Sequence, residues 1–396
     1  MFVMYDGSQN YILEAIMKKT LIECLESIKD FRSGNAIDHK LIDILAIAIL
    51  GVLCGADGWT EIEDFGKSKL EWLKKFLELP NGIPSHDTFG RVFAAIDPKE
   101  FHNVFIEWVQ NICEIIKDQV ISIDGKTVRR SKDKSKGKAA IHVVSAWAAE
   151  NQMVLGQIKV DEKTNEITAI PELLKLLDIS GCIITIDAMG AQKDIAAEII
   201  EGSGDYVLAL KGNQGTLHAD VELYFKDEIL TQDKKELAKE SMYFKTLDNS
   251  HGRFEKREYY ICNDIDWLIQ KADWKGLQGI GLCISERTEG EKTSIDYSYA
   301  IYSIKDCTAE QFAKYKRGHW GIENSLHWVL DIAFREDESR ARKDYSAENL
   351  NVIRHMTLNL LKQEKTCKRG IKTKRLKCGW DDSYLLKVLE QTNIGV

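Results

Sequence analysis

The sequence reads VISIDG at residues 120–125, IHVVSAW at 141–147 and MVLGQI at 153–158, and this segment decides the fold. Three short apolar runs separated by loops are typical of consecutive strands of an antiparallel meander. A helical pattern follows from Glu166 to Leu177, and residues 182–187 then read CIITID. Such an almost continuous apolar run indicates a strand that is buried on both faces and paired in parallel. The order predicts an α/β architecture with a mixed sheet.

The flanking segments follow other patterns. Residues 192–201 indicate another helix and residues 206–210 another buried strand, which completes the order βββαβαβ. Before Gln119 the apolar residues recur at spacings of three and four, as in Leu41, Leu45 and Ala48, and this predicts a helical N-terminal domain. Between Gly215 and Tyr302 the alternation weakens into short β-like pieces, which indicates an insertion. Between Lys362 and Lys377 eight bases face one acid, Glu364, which indicates a basic tail.

The sequence therefore predicts four parts. They are a helical N-terminal domain (1–118), an α/β core (119–214 and 303–361), a β-rich insertion (215–302) and a basic C-terminal tail (362–396).

Composition narrows the function classes. The chain has 396 residues, of which 44% are hydrophobic and 29% charged, so it can build ordinary cores. Its net charge of -8 argues against a general nucleic-acid binder, so any such binding must use local basic patches. Nine cysteines without a Cys-x-x-Cys pair argue against a disulfide framework or a zinc site. The sequence shows neither a long apolar run nor a signal-peptide pattern, and we therefore expect a cytoplasmic protein with no membrane partner.

Two acids stand at the ends of apolar strands. Asp124 closes the first strand and Asp187 closes the fourth, and strand ends that open onto loops are where α/β sheets bind ligands. Either residue alone is readily explained as a turn residue. If the two strands are neighbours, however, the two carboxylates lie side by side and repel each other unless a cation neutralises them. Oxygen ligands of this kind suit Mg²⁺ or Mn²⁺.

A third acid is presented by a predicted helix from Tyr315 to about Ala333. On this helix His319, Glu323 and His327 share one face at a spacing of four residues. A solvated polar face explains this spacing equally well. A zinc protease is disfavoured because the histidine spacing is not that of His-Glu-x-x-His.

These residues lie in longer motifs that resemble a known family, the DDE-class bacterial insertion-sequence transposases of the H-repeat-associated, ISAs-type group. The resemblance covers nearly the whole chain. It rests on SIDGK at 122–126, TIDAMGAQ at 185–192 and HWGIENSLHW at 319–328, and on IPSHDTF at 83–89, NEI at 165–167 and YVLALKGNQ at 206–214.

The resemblance implies an RNase H-like catalytic core in which Asp124, Asp187 and Glu323 are catalytic and hold two divalent ions, Mg²⁺ or Mn²⁺. It implies cleavage at the terminal inverted repeats of an insertion sequence and strand transfer to target double-stranded DNA, in a bacterial protein that associates with the nucleoid when acting. It also implies that the helical N-terminal domain (1–118) binds DNA. Because two DNA ends must be joined, we expect a homodimer on DNA. Two alternatives stay open, namely a metal-dependent nuclease without strand transfer and an inactive or domesticated remnant that binds DNA.

Candidate DNA contacts lie close to the three acids in the sequence. Basic side chains would contact phosphates, and an exposed tryptophan would stack on an unpaired base. Related transposases carry an arginine four positions before the glutamate, where this sequence has His319. The candidate contacts are Lys126, Arg129, Arg130, Lys211, Asn213, Gln214, Arg317, His319, His327 and Trp320, and the basic loop after Asp124 also includes Lys134 and Lys136.

Overall fold

The computed structural model describes residues 19–34, 37–114, 116–132, 137–160, 165–250 and 252–391. Within these ranges no helix is both long and apolar enough to cross a membrane. Residues 1–18 of the predicted N-terminal domain, and Lys134 and Lys136 of the predicted basic loop, lie outside the described residues.

The N-terminal part is helical, as its apolar spacing predicts. Helix boundaries follow local capping: the Ser85 hydroxyl accepts a hydrogen bond from the Thr88 N–H, and the Asp97 carboxylate accepts one from the Lys99 N–H. The helices are α1 (Leu21–Glu26), α2 (Leu41–Leu53), α3 (Trp59–Ser68), α4 (Leu70–Leu73), α5 (His86–Ala95) and α6 (Pro98–Ile112).

The central sheet has the predicted topology. Its elements are β1 (Val120–Thr127), β2 (His142–Ala148), β3 (Met153–Val160), α7 (Glu166–Lys175), β4 (Ile183–Ile186), α8 (Lys193–Glu201) and β5 (Asp205–Leu210). Strands β1, β2 and β3 form an antiparallel meander, β4 pairs in parallel with β1, and β5 pairs in parallel with β4. The prediction of neighbouring first and fourth strands is confirmed, and the core is RNase H-like.

Residues 215–302 differ from the sequence pattern in two respects. They begin with helix α9 (Gly215–Tyr224), a π-helical turn (Phe225–Ile229) and helix α10 (Lys234–Lys239), which the pattern does not indicate. The strands that follow also extend the core sheet itself. They are β6 (Tyr243–Ser250), β7 (Arg253–Cys262), β8 (Gly279–Glu289) and β9 (Lys292–Tyr302).

The nine strands among the described residues lie in one sheet, in the order β3-β2-β1-β4-β5-β9-β8-β7-β6. Strand β9 pairs antiparallel with β5, with Val207 opposite Tyr302, so the end of the segment lies beside the strand that leads into its start. The pairing of β9 with β5 satisfies the backbone N–H and C=O groups along this edge of β5, which would otherwise be unpaired. That this segment is an insertion into the α/β core stays a prediction.

The C-terminal part of the chain is helical. It comprises α11 (Ala309–Ile322), a π-helical turn (Glu323–His327), α12 (Trp328–Phe334), a 3₁₀ turn (Glu336–Glu338), α13 (Ser346–Gln363), α14 (Ile371–Trp380) and α15 (Asp382–Glu390). The predicted basic tail is thus folded into helices, and Lys374 and Arg375 are buried. Other bases of this segment stay exposed, namely Lys365, Lys368, Arg369 and Lys372.

Arg375 is buried because its guanidinium donates hydrogen bonds to main-chain oxygens at the ends of two helices. Its guanidinium donates to the main-chain oxygens of Val52 and Ala56 at 2.8–2.9 Å and lies 3.0 Å from Asp57 Oδ1. It also donates to the main-chain oxygen of Ala333 in α12. Carbonyls at the ends of helices have no partner within the helix, and Arg375 therefore links the end of α2 to the end of α12.

One continuous hydrophobic core joins the N-terminal helices to the sheet. Helix α13 packs against α2, α5, α6 and β3, and the Asn349 amide donates to the main-chain oxygens of Phe93 and Ile96 at the end of α5. The N-terminal helices are therefore packed onto the core, and their division into a separate domain stays a prediction.

Candidate active site

Asp124 and Asp187 lie at the same edge of the sheet. The parallel register pairs Ile123 with Ile186, so the next residue of each strand is the acid. The Asp187 carboxylate accepts hydrogen bonds from the N–H groups of Met189 and Gly190 at 3.0 and 3.2 Å, so it also stabilises the turn that follows β4. The turn role and a ligand role are compatible, because a carboxylate can accept at several sites.

Glu323 reaches this edge from helix α11, which packs across β1 and β4. Close approach requires Gly318, because a Cβ there would crowd the side chain of Val120. The Ser122 hydroxyl donates to the main-chain oxygen of Gly318 at 3.1 Å. The predicted helix is present but starts earlier, at Ala309, and changes to π-helical hydrogen bonding at Glu323. Such π-helical turns occur frequently at functional sites.

His327 lies between two of the acids. Its Nδ1 is 3.2 Å from Glu323 Oε2 and 3.5 Å from Asp124 Oδ2. One ligand atom of each of these three residues lies within 4.8 Å of the other two. The His327 side chain is 6% exposed, and burial lowers its pKa below the ordinary histidine value. The predicted DNA contact of His327 stays a prediction, although the ring is covered by protein.

The site is electrostatically unfavourable without a cation. Burial raises the pKa of Asp124 to about 7, and the carboxylates of Asp187, Glu166 and Glu323 add to this effect, while the Gly125 N–H opposes it. A raised carboxyl pKa means that the charged form is destabilised in the folded protein. The residues present fit a divalent metal, because they combine converging carboxylates with an unmet need for positive charge.

Two family profiles match the chain. The profile described as "Transposase DDE domain" matches residues 116–360, and the one described as "DDE_Tnp_1-associated" matches residues 22–109. The chain belongs to the DDE transposase family. The reactions of this family are DNA cleavage and strand transfer, and its members depend on divalent metal.

Individual relatives cover nearly the whole DDE transposase chain. "Putative transposase YncI" from Escherichia coli O157:H7 is 46% identical over 374 residues, which are 94% of each chain. "H repeat-associated putative transposase YhhI" from Escherichia coli K12 is 43% identical over 94% of this chain and 98% of its own. A solved piggyBac transposase synaptic complex with hairpin DNA aligns over 96% of this chain and 79% of its own, with 11% identity and a TM-score of 0.41.

Glu166 and His142, which have no role predicted from the sequence, form a pair beside Asp124 in this DDE transposase. Glu166 Oε1 lies 2.6 Å from His142 Nε2, and a Cβ at Gly125 would overlap both side chains. The His142 Nδ1 lies 2.8 Å from the Thr127 hydroxyl. The NEI motif at 165–167 is the signal in the sequence that could have directed attention to Glu166.

Lys126, a predicted DNA contact, lies in a cluster of ion pairs. Its Nζ lies 2.5 Å from Asp331 Oδ1 and 2.7 Å from Glu336 Oε2, and its side chain is 14% exposed. Glu336 is completely buried. Lys126 is therefore turned inward, where it pairs with the buried Glu336 and the partly buried Asp331.

Asn213 and Gln214 contact the turn after Asp187. The Asn213 amide donates to the main-chain oxygen of Ala188 at 2.5 Å, and the Gln214 amide donates to that of Ala191 at 2.9 Å. Both residues therefore help to hold this turn, and their predicted DNA contacts stay predictions.

Other predicted DNA contacts are on the surface of the DDE transposase. Arg129 is exposed although its Nε lies 3.2 Å from Asp337 Oδ2, and Arg130, Lys211 and Arg317 are exposed as well. Trp320 is 57% exposed. His319 is partly exposed, and its Nδ1 lies 3.2 Å from the Thr185 hydroxyl. Burial, helped by Lys316 and opposed by Asp187, lowers the pKa of His319 to about 4, so this ring is neutral at neutral pH.

The raised pKa of Asp124 predicts that the free energy of unfolding depends on pH. Between about pH 4 and pH 7 the folded protein binds more protons at this residue than the unfolded chain does, so stability falls as pH rises through this window. In EDTA at pH 8, we expect Asp124→Asn to increase the free energy of unfolding by about 2 to 4 kcal/mol, measured by urea denaturation.

At pH 4 the same substitution is expected to change stability little, because Asp124 is protonated in the folded protein. Added Mg²⁺ should stabilise the wild type and not the variant. A variant less stable than wild type at pH 8 would contradict the electrostatic description of the site.

Proposed function

We propose that this chain is an active transposase that cuts DNA at the terminal inverted repeats of its own insertion sequence and joins the ends to target DNA. The observation that carries the proposal is the convergence of Asp124 and Glu323, far apart in sequence, at the strand edge that also presents Asp187. Local packing does not require these acids to gather at one edge, and their mutual repulsion opposes it. A metal-dependent reaction on a phosphodiester accounts for this arrangement of acids.

In this proposal Asp124, Asp187 and Glu323 are the catalytic residues and hold two divalent ions, Mg²⁺ or Mn²⁺. When bound, such a pair of ions activates the attacking oxygen and stabilises the leaving one in phosphoryl transfer. The protein supplies the fixed carboxylates. Asp124 and Asp187 are held by paired strands and Glu323 by a helix packed on those strands, so little reorganisation is needed when DNA arrives.

The DNA is proposed to lie over the exposed cationic and aromatic side chains around the acids. Phosphates would contact Arg129, Arg130, Lys211 and Arg317, and Trp320 would stack on a base at a cleaved end. His319, whose ring lies 3.2 Å from the Thr185 hydroxyl two residues before Asp187, would donate a hydrogen bond to the same DNA end. The acidic net charge of the chain makes such a local patch necessary.

We further propose that the protein acts as a homodimer on double-stranded DNA, because two ends must be brought to one target. The proposed location is the bacterial cytoplasm, at the nucleoid during the reaction.

Inverted repeats at the edges of the gene would supply the substrate for a direct test. A plasmid that carries a marker between these repeats is incubated with the full chain, Mg²⁺ and a target plasmid. We expect joined products in which the repeat ends are linked to target DNA. Nicks without joined products would favour the nuclease alternative, and salt-sensitive binding without nicks would favour a DNA-binding remnant.

A further inference from the structure

His327 has a position that the three-carboxylate description leaves unexplained. It is a buried ring at the centre of an acidic site, and its Nδ1 faces Asp124 and Glu323. A surface role in DNA binding does not account for a residue that is 5% exposed. A contact to a metal held by the same two carboxylates would account for it.

We infer that His327 Nδ1 is a ligand of one of the divalent ions, together with Asp124 and Glu323, and that the site therefore favours Mn²⁺ over Mg²⁺. The inference rests on the proposed function, because it concerns the same metal site. Imidazole nitrogen is a poor ligand for Mg²⁺, which prefers oxygen, and a better one for transition metals.

The distances fit this assignment. In octahedral coordination with metal–ligand distances of roughly 2.1 Å, adjacent ligand atoms lie about 3 Å apart. The distances from His327 Nδ1 to Glu323 Oε2 and Asp124 Oδ2 are 3.2 and 3.5 Å. Small side-chain movements would bring the three atoms to a shared ion.

The other ring nitrogen also fits. A ligating histidine usually donates its second N–H to a carboxylate, a carbonyl or a water molecule. His327 Nε2 is buried and has no partner among the described residues. The ring borders a cavity of about 10 Å³ whose lining includes Ser145, Glu336, Asn351 and His355. That volume has room for about one water molecule among polar groups.

The test uses Mn²⁺ as the probe, bound to the full chain without DNA. Electron spin echo measurements detect a nitrogen bonded to Mn²⁺ through its nuclear coupling, and calorimetry gives the affinity. We expect a nitrogen coupling in the wild type that changes to the ¹⁵N pattern when histidine is ¹⁵N-labelled. In His327→Asn we expect the coupling to vanish and Mn²⁺ affinity to fall about tenfold or more, or about 1.4 kcal/mol, with a smaller change for Mg²⁺.

His319→Asn is the matched control, because His319 stands four residues before Glu323 as His327 stands four after it. It should keep the nitrogen coupling. A wild type without any histidine coupling would overturn the inference even if His327→Asn fails to fold, and so would loss of the coupling in the control with retention in His327→Asn. If Asp124→Asn leaves Mn²⁺ binding unchanged, the proposed metal site itself fails. If Asp124→Asn abolishes binding while His327→Asn keeps both affinity and coupling, the ligand assignment alone fails.

Discussion

Glu323→Gln is expected to reduce Mg²⁺-dependent cleavage of terminal-repeat DNA by at least about 1,000-fold, or about 4 kcal/mol in the activation free energy. The substitution keeps the size of the side chain and removes the charge that would hold a metal. Asp124→Asn and Asp187→Asn should have effects of the same order. Binding to the repeats should be unchanged or tighter, because a negative charge near phosphate is removed. Nicking and joining are measured on gels, and binding by mobility shift at fixed salt.

Asp331→Asn is the control for this set, since Asp331 follows Glu323 on the next helix. Asp331 Oδ1 pairs with Lys126, which also keeps Glu336 as a partner. The control should therefore retain measurable cleavage. A cleaving Glu323→Gln together with an inactive Asp331→Asn would mean that the third acid has been misassigned.

Lys126→Met is expected to lower the free energy of unfolding by about 3 to 5 kcal/mol, because it leaves the buried Glu336 with only the more distant Arg354 as a cationic partner among the described residues. Although burial raises the pKa of Glu336, Lys126 and Arg354 lower it to about 2. Methionine matches the length of lysine but carries no charge. Urea denaturation at pH 7 measures the loss.

The surface variant Arg129→Met should change stability by less than about 0.5 kcal/mol and reduce the salt dependence of DNA binding. The double variant Lys126→Met with Glu336→Gln should recover part of the lost stability, because the uncompensated buried charge is removed. If Lys126→Met instead keeps full stability and weakens DNA binding at low salt, Lys126 is a phosphate contact after all.

Sequence reasoning predicted the core well because its signals are local. The apolar runs of β1 and β4 and the acid after each run are visible in short windows, and the parallel pairing of these strands is confirmed. The pairing of β9 with β5 is not visible in this way, because a strand's pattern does not identify its partner. The catalytic roles of Asp124, Asp187 and Glu323 stay predictions.

The partners of charged residues are likewise not identified by the local sequence. Lys126 looks like a DNA contact in a basic loop, yet its partner Glu336 is 210 residues away. Arg375 looks like part of a solvated tail, yet its partners Val52 and Ala56 are more than 300 residues away. A basic residue buried against a distant acid or carbonyl has the same local sequence as one on the surface.

Arg375 also bears on the order in which the protein can be assembled during synthesis. The ribosome makes the chain from the N-terminus at roughly 5 to 20 residues per second, and α2 emerges long before Arg375. Until Arg375 has been made, the carbonyl oxygens of Val52 and Ala56 lack the guanidinium that donates hydrogen bonds to them. A gene copy truncated before α14 would still encode every acid of the active site. In the chain that it yields, however, the end of α2 and the end of α12, the helix after Glu323, would both lack the hydrogen bonds from Arg375.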